Sequence, residues 1–518
     1  MFNLLHEYWI PVITRTGRRL IRPFDIVDPA VLWPDWPRAD LNVACLELLI
    51  GMVAMADPPR DPEDWDARRR PDAARWAERL GAFADAFALD GPGPRFMQDL
   101  EPFEVGVKQP GSVDMLFIDS AGANATPNNT DLMVHRGRYA DLSMGEAAMA
   151  LFTLQAYAPE GGRGYLTSLR AGGPLSTLVV PGGEPNLFDV IWANVPDGRP
   201  GNPDDLPWMK QTRASKVYPP AMETFSAVEV FFGMPRRIRL IFSEDRVVGV
   251  EQRQYGNKYE GWVHPLSPYY RNKAGEMAFC QRAATWNAGY RNWLGVVCQA
   301  DDAYLRDRAL ALRQYDNRAD FDEKYSVLVS GWATNSAKIL DFVWSREPTF
   351  VLSDTKSAIL RGVIRAAEVA QNEMISLMAI LSGARRKAEL KSKGLPQDYK
   401  PSDWKWGGSC ESNMADAFYV NTEAAFLEHM VLIRQGISVG ETWLAVLRDM
   451  VLNLFNHEAA RAFTSQDAAR IHRALFVRER LLSMLGGYSK SGVALYEHLR
   501  LEPPKPAARP AKAKGIAA

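Results

Sequence analysis

The sequence is poor in the residues that hold metal ions. Its four cysteines stand far apart and form no CxxC pair, and they are Cys45, Cys280, Cys298 and Cys410. That spacing matches no zinc knuckle, so we expect reduced, buried thiols. The seven histidines are isolated and no HExxH motif occurs, so the sequence predicts no metal site.

The chain also lacks an excess of charge of either sign. Its 61 basic and 62 acidic residues give a formal net charge of −1. A free-standing DNA-binding protein usually has a basic surplus, because phosphate neutralisation supplies most of its non-specific affinity. Any contact with nucleic acid must therefore be local. Neutrality fits a subunit whose partners supply the positive charge, and it equally fits a metabolic enzyme.

Long apolar runs are missing from the sequence as well. No run approaches the roughly 18 residues that span a bilayer. The N-terminal residues 1–15 place His6 and Glu7 inside the only early apolar stretch, so no signal peptide is predicted. We therefore expect a cytoplasmic protein without membrane contact.

The sequence also lacks the short motifs that mark common catalytic sites. Neither a GxxxxGK[ST] phosphate loop nor a GxSxG nucleophile elbow occurs. We therefore predict a protein that is not an enzyme and that uses no cofactor. The alternative is a stand-alone metal-dependent nuclease or hydrolase with an unrecognised carboxylate site, because many enzymes lack short signatures. A pure scaffold is a third hypothesis.

The pattern of apolar residues predicts an α+β fold. Residues 9–13 and 18–21 flank a turn and predict a hairpin, and three later apolar runs predict strands at residues 228–232, 238–242 and 247–252. Residues 41–56 are apolar on most sides, which is typical of a buried helix. We predict an irregular mixed α/β domain over residues 1–355.

Beyond residue 355 the apolar residues follow helical spacing. Four long helices with apolar stripes predict a four-helix bundle over residues 356–501. One of these helices covers residues 466–485 and is stopped by Gly486 and Gly487. The remaining residues, 502–518, combine Lys and Arg with Pro and Ala and predict a disordered basic tail.

A cluster of three glycines is the most specific local feature. It reads Gly161-Gly162-Arg163-Gly164 and follows a predicted helix. Glycines allow positive φ and let another backbone approach closely, while Arg163 suits a phosphate or a narrow minor groove. Position 167 is Thr and a helix precedes the cluster, so it is not a dinucleotide fingerprint. The cluster is either an ordinary surface turn or a nucleic-acid contact.

A second basic feature lies in the C-terminal part of the sequence. Arginines and lysines at residues 385–393 precede Trp404 and Trp406. Basic residues interleaved with aromatic ones suit single-stranded nucleic acid. A solvated helix end explains the same residues, because the helix dipole favours Lys and Arg there.

Several short blocks occur together in an order that resembles a known family. The blocks are Leu4-Leu5, Trp9-Ile10-Pro11-Val12, Gly122-Ala123-Asn124, Leu169-Arg170-Ala171-Gly172-Gly173, His264-Pro265-Leu266-Ser267-Pro268 and Gly331-Trp332-Ala333-Thr334-Asn335. In content, order and spacing they resemble CasA, the large subunit of the type I-E CRISPR surveillance complex, Cascade. The resemblance covers nearly the whole chain.

The resemblance implies a non-catalytic subunit that reads the protospacer-adjacent motif (PAM) and starts to open the duplex. Its implied partners are double-stranded DNA, CRISPR guide RNA, other Cascade subunits and the helicase-nuclease that it recruits. The residues that the family pattern marks fall into three groups. PAM reading falls on Gly161, Gly162, Arg163, Gly164 and Lys273, with Arg271 as a substitute; the duplex wedge falls on Asn335 and Ser336; and guide-RNA contact falls on Asn129, Leu132, Met133 and His135.

The sequence departs from the family pattern in two of these groups. Ser336 stands where familiar members have glutamine, and serine is too short to fill the gap left by a displaced base pair. Asn335 or another residue then carries the wedge. Leu132 replaces the usual phenylalanine, which puts base stacking in doubt. Some relatives carry a cysteine-rich zinc insert; residues 248–259 hold no cysteine here, and we predict no zinc.

Overall fold

The chain was analysed as a computed structural model. It describes residues 1–102, 111–120, 135, 137–215, 227–286, 289–302, 305–335, 338–381, 408–464 and 466–504. Two compact units divide the chain. The N-terminal unit comprises Met1–Trp286 and Gly295–Val351, and the C-terminal unit comprises Asn287–Leu294 and Leu352–Ala518. The predicted division at residue 355 and the roles given to each part stay predictions.

The N-terminal unit mixes short helices with small antiparallel sheets. Its described helices are α1 (Ala39–Ala56), α2 (Pro62–Ala67), α3 (Ala73–Gly81), α4 (Met144–Tyr157), α5 (Leu187–Asn194) and α6 (Leu310–Arg318). Its described strands are β1 (Ile10–Thr14), β2 (Gly17–Ile21), β3 (Val31–Pro34), β4 (Leu142–Ser143), β5 (Ser176–Pro181), β6 (Arg237–Ser243), β7 (Arg246–Arg253), β8 (Tyr269–Tyr270), β9 (Phe279–Cys280), β10 (Arg306–Asp307), β11 (Lys324–Asn335) and β12 (Lys338–Phe350). The sheets have the orders β2-β1-β3, β10-β8-β9, β12-β11-β5 and β4-β7-β6.

Helix α1 lies at the centre of this unit and packs against α4 and α5. Its 18 residues reach a mean hydropathy of 1.7, which is enough by length and composition for a membrane span, and 83% of them are buried inside the protein. The expectation that no apolar run approaches 18 residues was therefore wrong. The prediction of a buried helix at residues 41–56 is confirmed, because the apolar residues around α1 face protein on all sides.

Strands β11 and β12 form a long hairpin. Asn335 lies opposite Lys338 at its tip, and the register runs back to Lys324 opposite Phe350. Strand β5 pairs with the other edge of β11, so β11 is the central strand of the sheet. Its apolar residues are buried, whereas the edge strand β12 exposes more of its side chains.

The β4-β7-β6 sheet confirms two of the three predicted strands. Residues 238–242 lie in β6 and residues 247–252 lie in β7. The strand predicted at residues 228–232 was wrong, because Ala227–Val230 forms a 3₁₀ helix. The backbone N–H groups of Phe231 and Phe232 bond to the carbonyls of Val228 and Glu229 within this turn. These local bonds satisfy the backbone without a neighbouring strand.

The C-terminal unit is helical in its described part. Its helices are α7 (Asp354–Leu381), α8 (Gly408–Arg434), α9 (Gly440–Phe463), α10 (Ala468–Leu485) and α11 (Lys490–His498). The first four are the long helices that the sequence predicts, and α11 is a short addition. Trp443 lies fully buried in the bundle, where its Nε1–H donates to the carbonyl of Val363 at 3.0 Å.

The ends of α10 follow from its sequence. The carboxylate of Asp467 accepts the N–H of Ala469 at 2.9 Å, and the helix stops at Gly486. Gly487 has a φ of +79°, a conformation that side-chain-bearing residues adopt only with strain. The predicted helix and its stop at Gly486 and Gly487 are thus confirmed, and so is the α+β class with a helical C-terminal bundle. The predicted tail lies outside the described residues from residue 505 onward.

Candidate nucleic-acid interface

Helix α4 delivers the chain into the glycine cluster. Ser143 caps the helix, because its hydroxyl accepts the N–H of Glu146 while the Glu146 carboxylate accepts the N–H of Ser143. Residues 161–164, the glycine turn, follow the end of the helix and are mostly exposed. The carbonyl of Gly162 accepts the N–H of Tyr165 at 3.1 Å, which closes the turn.

Two glycines of this turn have left-handed backbones. The φ angles are +84° at Gly162 and +79° at Gly164, values that favour glycine. No atom would lie within 4 Å of a Cβ at Gly162, so this position faces open space. A Cβ at Gly164 would lie 2.7 Å from the Cβ of Gln254, so this position faces protein. The turn therefore presents one glycine outward and packs another inward.

The chain that leaves β7 holds the glycine turn in place. The side-chain amide of Gln254 donates to the carbonyl of Arg163 at 2.7 Å. The N–H of Tyr255 donates to the carbonyl of Gly164 at 2.7 Å. These two bonds fix the backbone of the turn. Neither bond uses the side chain of Arg163, which is an exposed residue.

Arg170, which follows the turn, is a buried structural residue. Its guanidinium forms a bidentate ion pair with Glu47 of α1, with N–O distances of 3.0 and 2.9 Å. Tyr157 and Ser176 donate hydrogen bonds to the same carboxylate at 2.8 and 2.6 Å. The network ties α1, α4 and β5 to the residues after the glycine turn, so Arg170 is not available to a phosphate.

Residues 172–175 follow the glycine turn and pack between β11 and the chain after β9. The carbonyl of Gly173 accepts the N–H of Ala283 at 2.9 Å, and the N–H of Leu175 donates to the carbonyl of Gln281 at 2.8 Å. A Cβ at Gly173 would lie 2.6 Å from Oγ1 of Thr334 on β11. The segment therefore contacts both the strand that ends at Asn335 and the chain that follows β9.

The loop between β8 and β9 carries the predicted lysine. Lys273 is exposed, and its carbonyl accepts the N–H of Glu276 at 3.3 Å. Arg271 is half-buried, and its N–H donates to the carbonyl of Leu305 at 2.6 Å. The exposed position of Lys273 suits a ligand contact, while Arg271 stays the substitute.

The hairpin tip holds the predicted wedge. Asn335 is exposed, and Ser336 lies outside the described residues. The register shifts at this point, since Thr334 pairs with Ile339 and Ala333 pairs with Asp341. The bulge leaves Leu340 unpaired and 62% exposed, a feature that the sequence patterns did not indicate.

The predicted guide-RNA loop falls largely outside the described residues, as do Asn129, Leu132 and Met133. His135 is described and exposed. Asp119 precedes this region in the sequence and Arg138 follows it. The guanidinium of Arg138 donates two hydrogen bonds to the carboxylate of Asp119, at 2.7 and 2.9 Å. The basic segment at residues 385–393, with Trp404 and Trp406, also lies outside the described residues.

Among the described residues, no group of three or more His, Cys, Asp or Glu side chains could hold a metal ion. Cys45 is a free, buried thiol, and burial raises its pKa to about 12. Cys280 is free and half-buried, and Cys298 is half-buried. The expectation of reduced thiols therefore holds for Cys45 and Cys280, while full burial holds only for Cys45. The side chain of Cys410 lies outside the described part of the chain.

Comparison with known proteins decides the family. The model of the CRISPR-associated protein Cse1 family matches residues 3–454. The chain belongs to the Cse1 family. The match extends through the glycine turn, the lysine-bearing loop and the long hairpin, so all the candidate elements lie inside the family region.

Solved structures show the same fold at low sequence identity. Cse1 from Thermobifida fusca is 18% identical, with a TM-score of 0.68 over 96% of this chain and 98% of that one. Cse1 from Acidimicrobium ferrooxidans is 17% identical, with a TM-score of 0.65 over 96% and 99%. A chain described as a CRISPR RNA-guided surveillance complex is 16% identical, with a TM-score of 0.63 over 93% and 99%.

Proposed function

We propose that this chain is the PAM-reading subunit of a Cascade surveillance complex. Membership of the Cse1 family supports its place in such a complex, as does the fold that it shares with a chain described as a CRISPR RNA-guided surveillance complex. Its net charge of −1 suits a subunit whose partners supply most of the phosphate-binding charge.

One observation carries the finer part of the proposal. The glycine turn is an exposed backbone element. Residues 172–175, a few residues further along the chain, lie against Thr334 near the hairpin tip and bond to Gln281 and Ala283, which follow the strand after the lysine-bearing loop. Within this arrangement, Gly162 offers the DNA a surface without a side chain. Lys273 adds a cation, and Asn335 with Ser336 enters the duplex.

Backbone reading of this kind suits the minor groove. The groove is narrow, and it shows A·T and T·A pairs as the same set of acceptors, so a side-chain-free turn and one lysine read it coarsely. A coarse reading agrees with broad PAM tolerance. Pairing with the guide RNA then supplies the sequence specificity, as in other RNA-guided systems.

The remaining roles are part of the same proposal. The chain has no catalytic role, works in the cytoplasm, contacts the guide RNA through the region around His135 and recruits the helicase-nuclease that degrades the DNA. The hairpin tip starts strand separation. Side chains that enter between base steps unstack them at a cost of a few kcal/mol, which the contacts made by the opened DNA offset.

Replacing Gly161 and Gly164 together by valine tests the proposal. Cβ atoms at these positions would lie 2.6 Å from Arg236 Nη1 and 2.7 Å from Gln254 Cβ, so the turn must change shape. In a reconstituted complex, we expect PAM-dependent binding of duplex DNA to disappear while assembly of the complex stays intact. Gly183→Val is the control, because Gly183 also has a positive φ but faces open space. Unchanged affinity of the double variant would refute the proposal.

A further inference from the structure

A buried arginine lies directly beneath the glycine turn. Arg236 begins the segment that leads into β6, and only 6% of its surface is exposed. Gln155 of α4 clamps its backbone, since the side-chain amide accepts the N–H of Arg236 at 3.0 Å and donates to its carbonyl at 2.9 Å. The position of this residue is therefore fixed by α4, the helix that also leads into the turn.

The Arg236 side chain points from this clamp to the turn. Its Nη2 donates to the carbonyl of Pro159 at 2.5 Å, and its guanidinium carbon lies 5.6 Å from the centre of the Tyr165 ring. A Cβ at Gly161 would lie 2.6 Å from Nη1 and 2.9 Å from Nη2. The guanidinium therefore occupies the space that a side chain at Gly161 would fill.

In the part of the chain that the structure describes, no carboxylate pairs with Arg236, and its Nε has no hydrogen-bond partner. Burial lowers the pKa of Arg236 to about 10, so the group still carries its charge at neutral pH. The next residue differs, because Arg237 pairs with the buried carboxylate of Asp99. An uncompensated buried cation is costly, and an anion that binds beside it removes part of that cost.

The exposed turn itself carries backbone donors. Backbone N–H groups of turns that contain left-handed residues form concave sites for anions. In the described structure, the N–H groups of Gly162, Arg163 and Gly164 donate to no protein acceptor. Arg163, an exposed residue, is part of this set of donors, and the buried guanidinium of Arg236 lies against Gly161 at its start.

We propose that the glycine turn and Arg236 together bind one phosphate group of the DNA backbone. The inference rests on the proposed function and extends it, because it adds a backbone anchor to the reading of base edges. Arg163 and the free N–H groups contact the phosphate oxygens from the solvent side. Arg236 supplies charge through Nη1, which faces Gly161.

The salt dependence of DNA binding distinguishes two roles for Arg236. Its side chain either neutralises a phosphate or only stabilises the conformation of the turn. Each neutralised phosphate contributes about 0.9 to the slope of log K against log salt on duplex DNA. We therefore expect Arg236→Met and Arg236→Gln to lower the slope by about 0.9 and the affinity at moderate salt by roughly tenfold. Arg236→Lys keeps the charge and should keep most of the slope.

The measurement uses the assembled complex and a fluorescent duplex that carries target and PAM, over a series of salt concentrations. Arg246→Met is the matched control, because it removes one charge at the opposite end of β7, about 25 Å along the strand from Gln254. Thermal unfolding shows which variants fold. Two neutral substitutions are made so that the test does not depend on the folding of a single variant.

A slope that falls for a folded neutral Arg236 variant, and not for Arg246→Met, supports the inference. A folded neutral variant with the wild-type slope overturns it, whatever its affinity. Failure of the proposed function gives a different result, namely a wild-type complex with equal affinity for duplexes with and without PAM. The slopes on either duplex still decide the role of Arg236 in that case.

Discussion

Two glycines of the N-terminal unit form a natural matched pair for testing the glycine turn. Gly162 and Gly183 have φ angles of +84° and +79°, and a Cβ at either position would meet no atom within 4 Å. Gly162 lies in the proposed DNA contact, whereas Gly183 follows the end of β5. The substitutions Gly162→Leu and Gly183→Leu therefore impose the same backbone strain in two different places.

The expected magnitudes follow from this geometry. A residue with a side chain pays about 1–2 kcal/mol in the left-handed region, so both variants should lose stability by about that amount. Since neither side chain meets protein atoms, no further clash is expected. A leucine at position 162 projects into the space that the minor groove would occupy. Loss of a good groove contact costs about 1–3 kcal/mol, so the affinity should fall by tenfold or more.

Equilibrium binding of a PAM-bearing duplex to the reconstituted complex measures this difference. Gly162→Leu should weaken binding by tenfold or more, while Gly183→Leu should match the wild type. Thermal unfolding of the isolated chain should show nearly equal losses for the two variants. Equal DNA affinities for the two variants, at equal stability, would refute the assignment of the glycine turn to the DNA contact.

Three further predictions concern single residues. Lys273→Ala should weaken binding of the PAM-bearing duplex about tenfold, and a negligible effect in the same titration would move the role to Arg271. Arg170→Met leaves the Glu47 carboxylate buried without its cation, so denaturant unfolding should show a loss of about 3–5 kcal/mol; a change below about 1 kcal/mol contradicts this. Burial, followed by the charge of Arg170, holds the pKa of His264 far below its usual value, so the folded state keeps this ring neutral. The free energy of unfolding is then at its full value above about pH 6.5 and falls by up to about 1.4 kcal/mol per pH unit below that, as the unfolded ring takes up a proton. His264→Gln should flatten this dependence on pH, and an unchanged dependence would contradict a neutral His264 in the folded state.

Local patterns in the sequence predicted the elements that local interactions decide. The bundle helix that ends at Gly486 follows from its apolar spacing and its terminal glycines, which lie within one short stretch of sequence. The turn at residues 161–164 follows from its glycines, because Gly162 and Gly164 adopt the conformation that glycine favours. The 3₁₀ helix at residues 227–230 was missed because an apolar run without periodicity does not separate a strand from a short helix.

Long-range pairs could not be predicted from the sequence. Arg170 pairs with Glu47 across 123 residues, and Arg236 meets Gln155 across 81 residues. No short motif records either contact, and charge counts treat Arg170 and Arg163 alike. The structure separates them, since one is buried in an ion pair and the other is exposed on the turn.

The candidate site was found through the order of short blocks rather than through chemistry. Physical reasoning from the residues left the glycine cluster open between a surface turn and a nucleic-acid contact. The resemblance to a family added Lys273 and Asn335, which no local pattern marks as functional. The exposed Leu340 at the hairpin bulge depends on strand register, a property that appears only when both strands are placed.

The most direct test of the account compares the complex with and without this chain. Its affinity is measured for two duplexes that share the target and differ only in the PAM. With the chain present, we expect the PAM-bearing duplex to bind at least tenfold more tightly, and without the chain we expect the two duplexes to bind alike. Equal binding of both duplexes by the complete complex would contradict the claim that this chain reads the PAM.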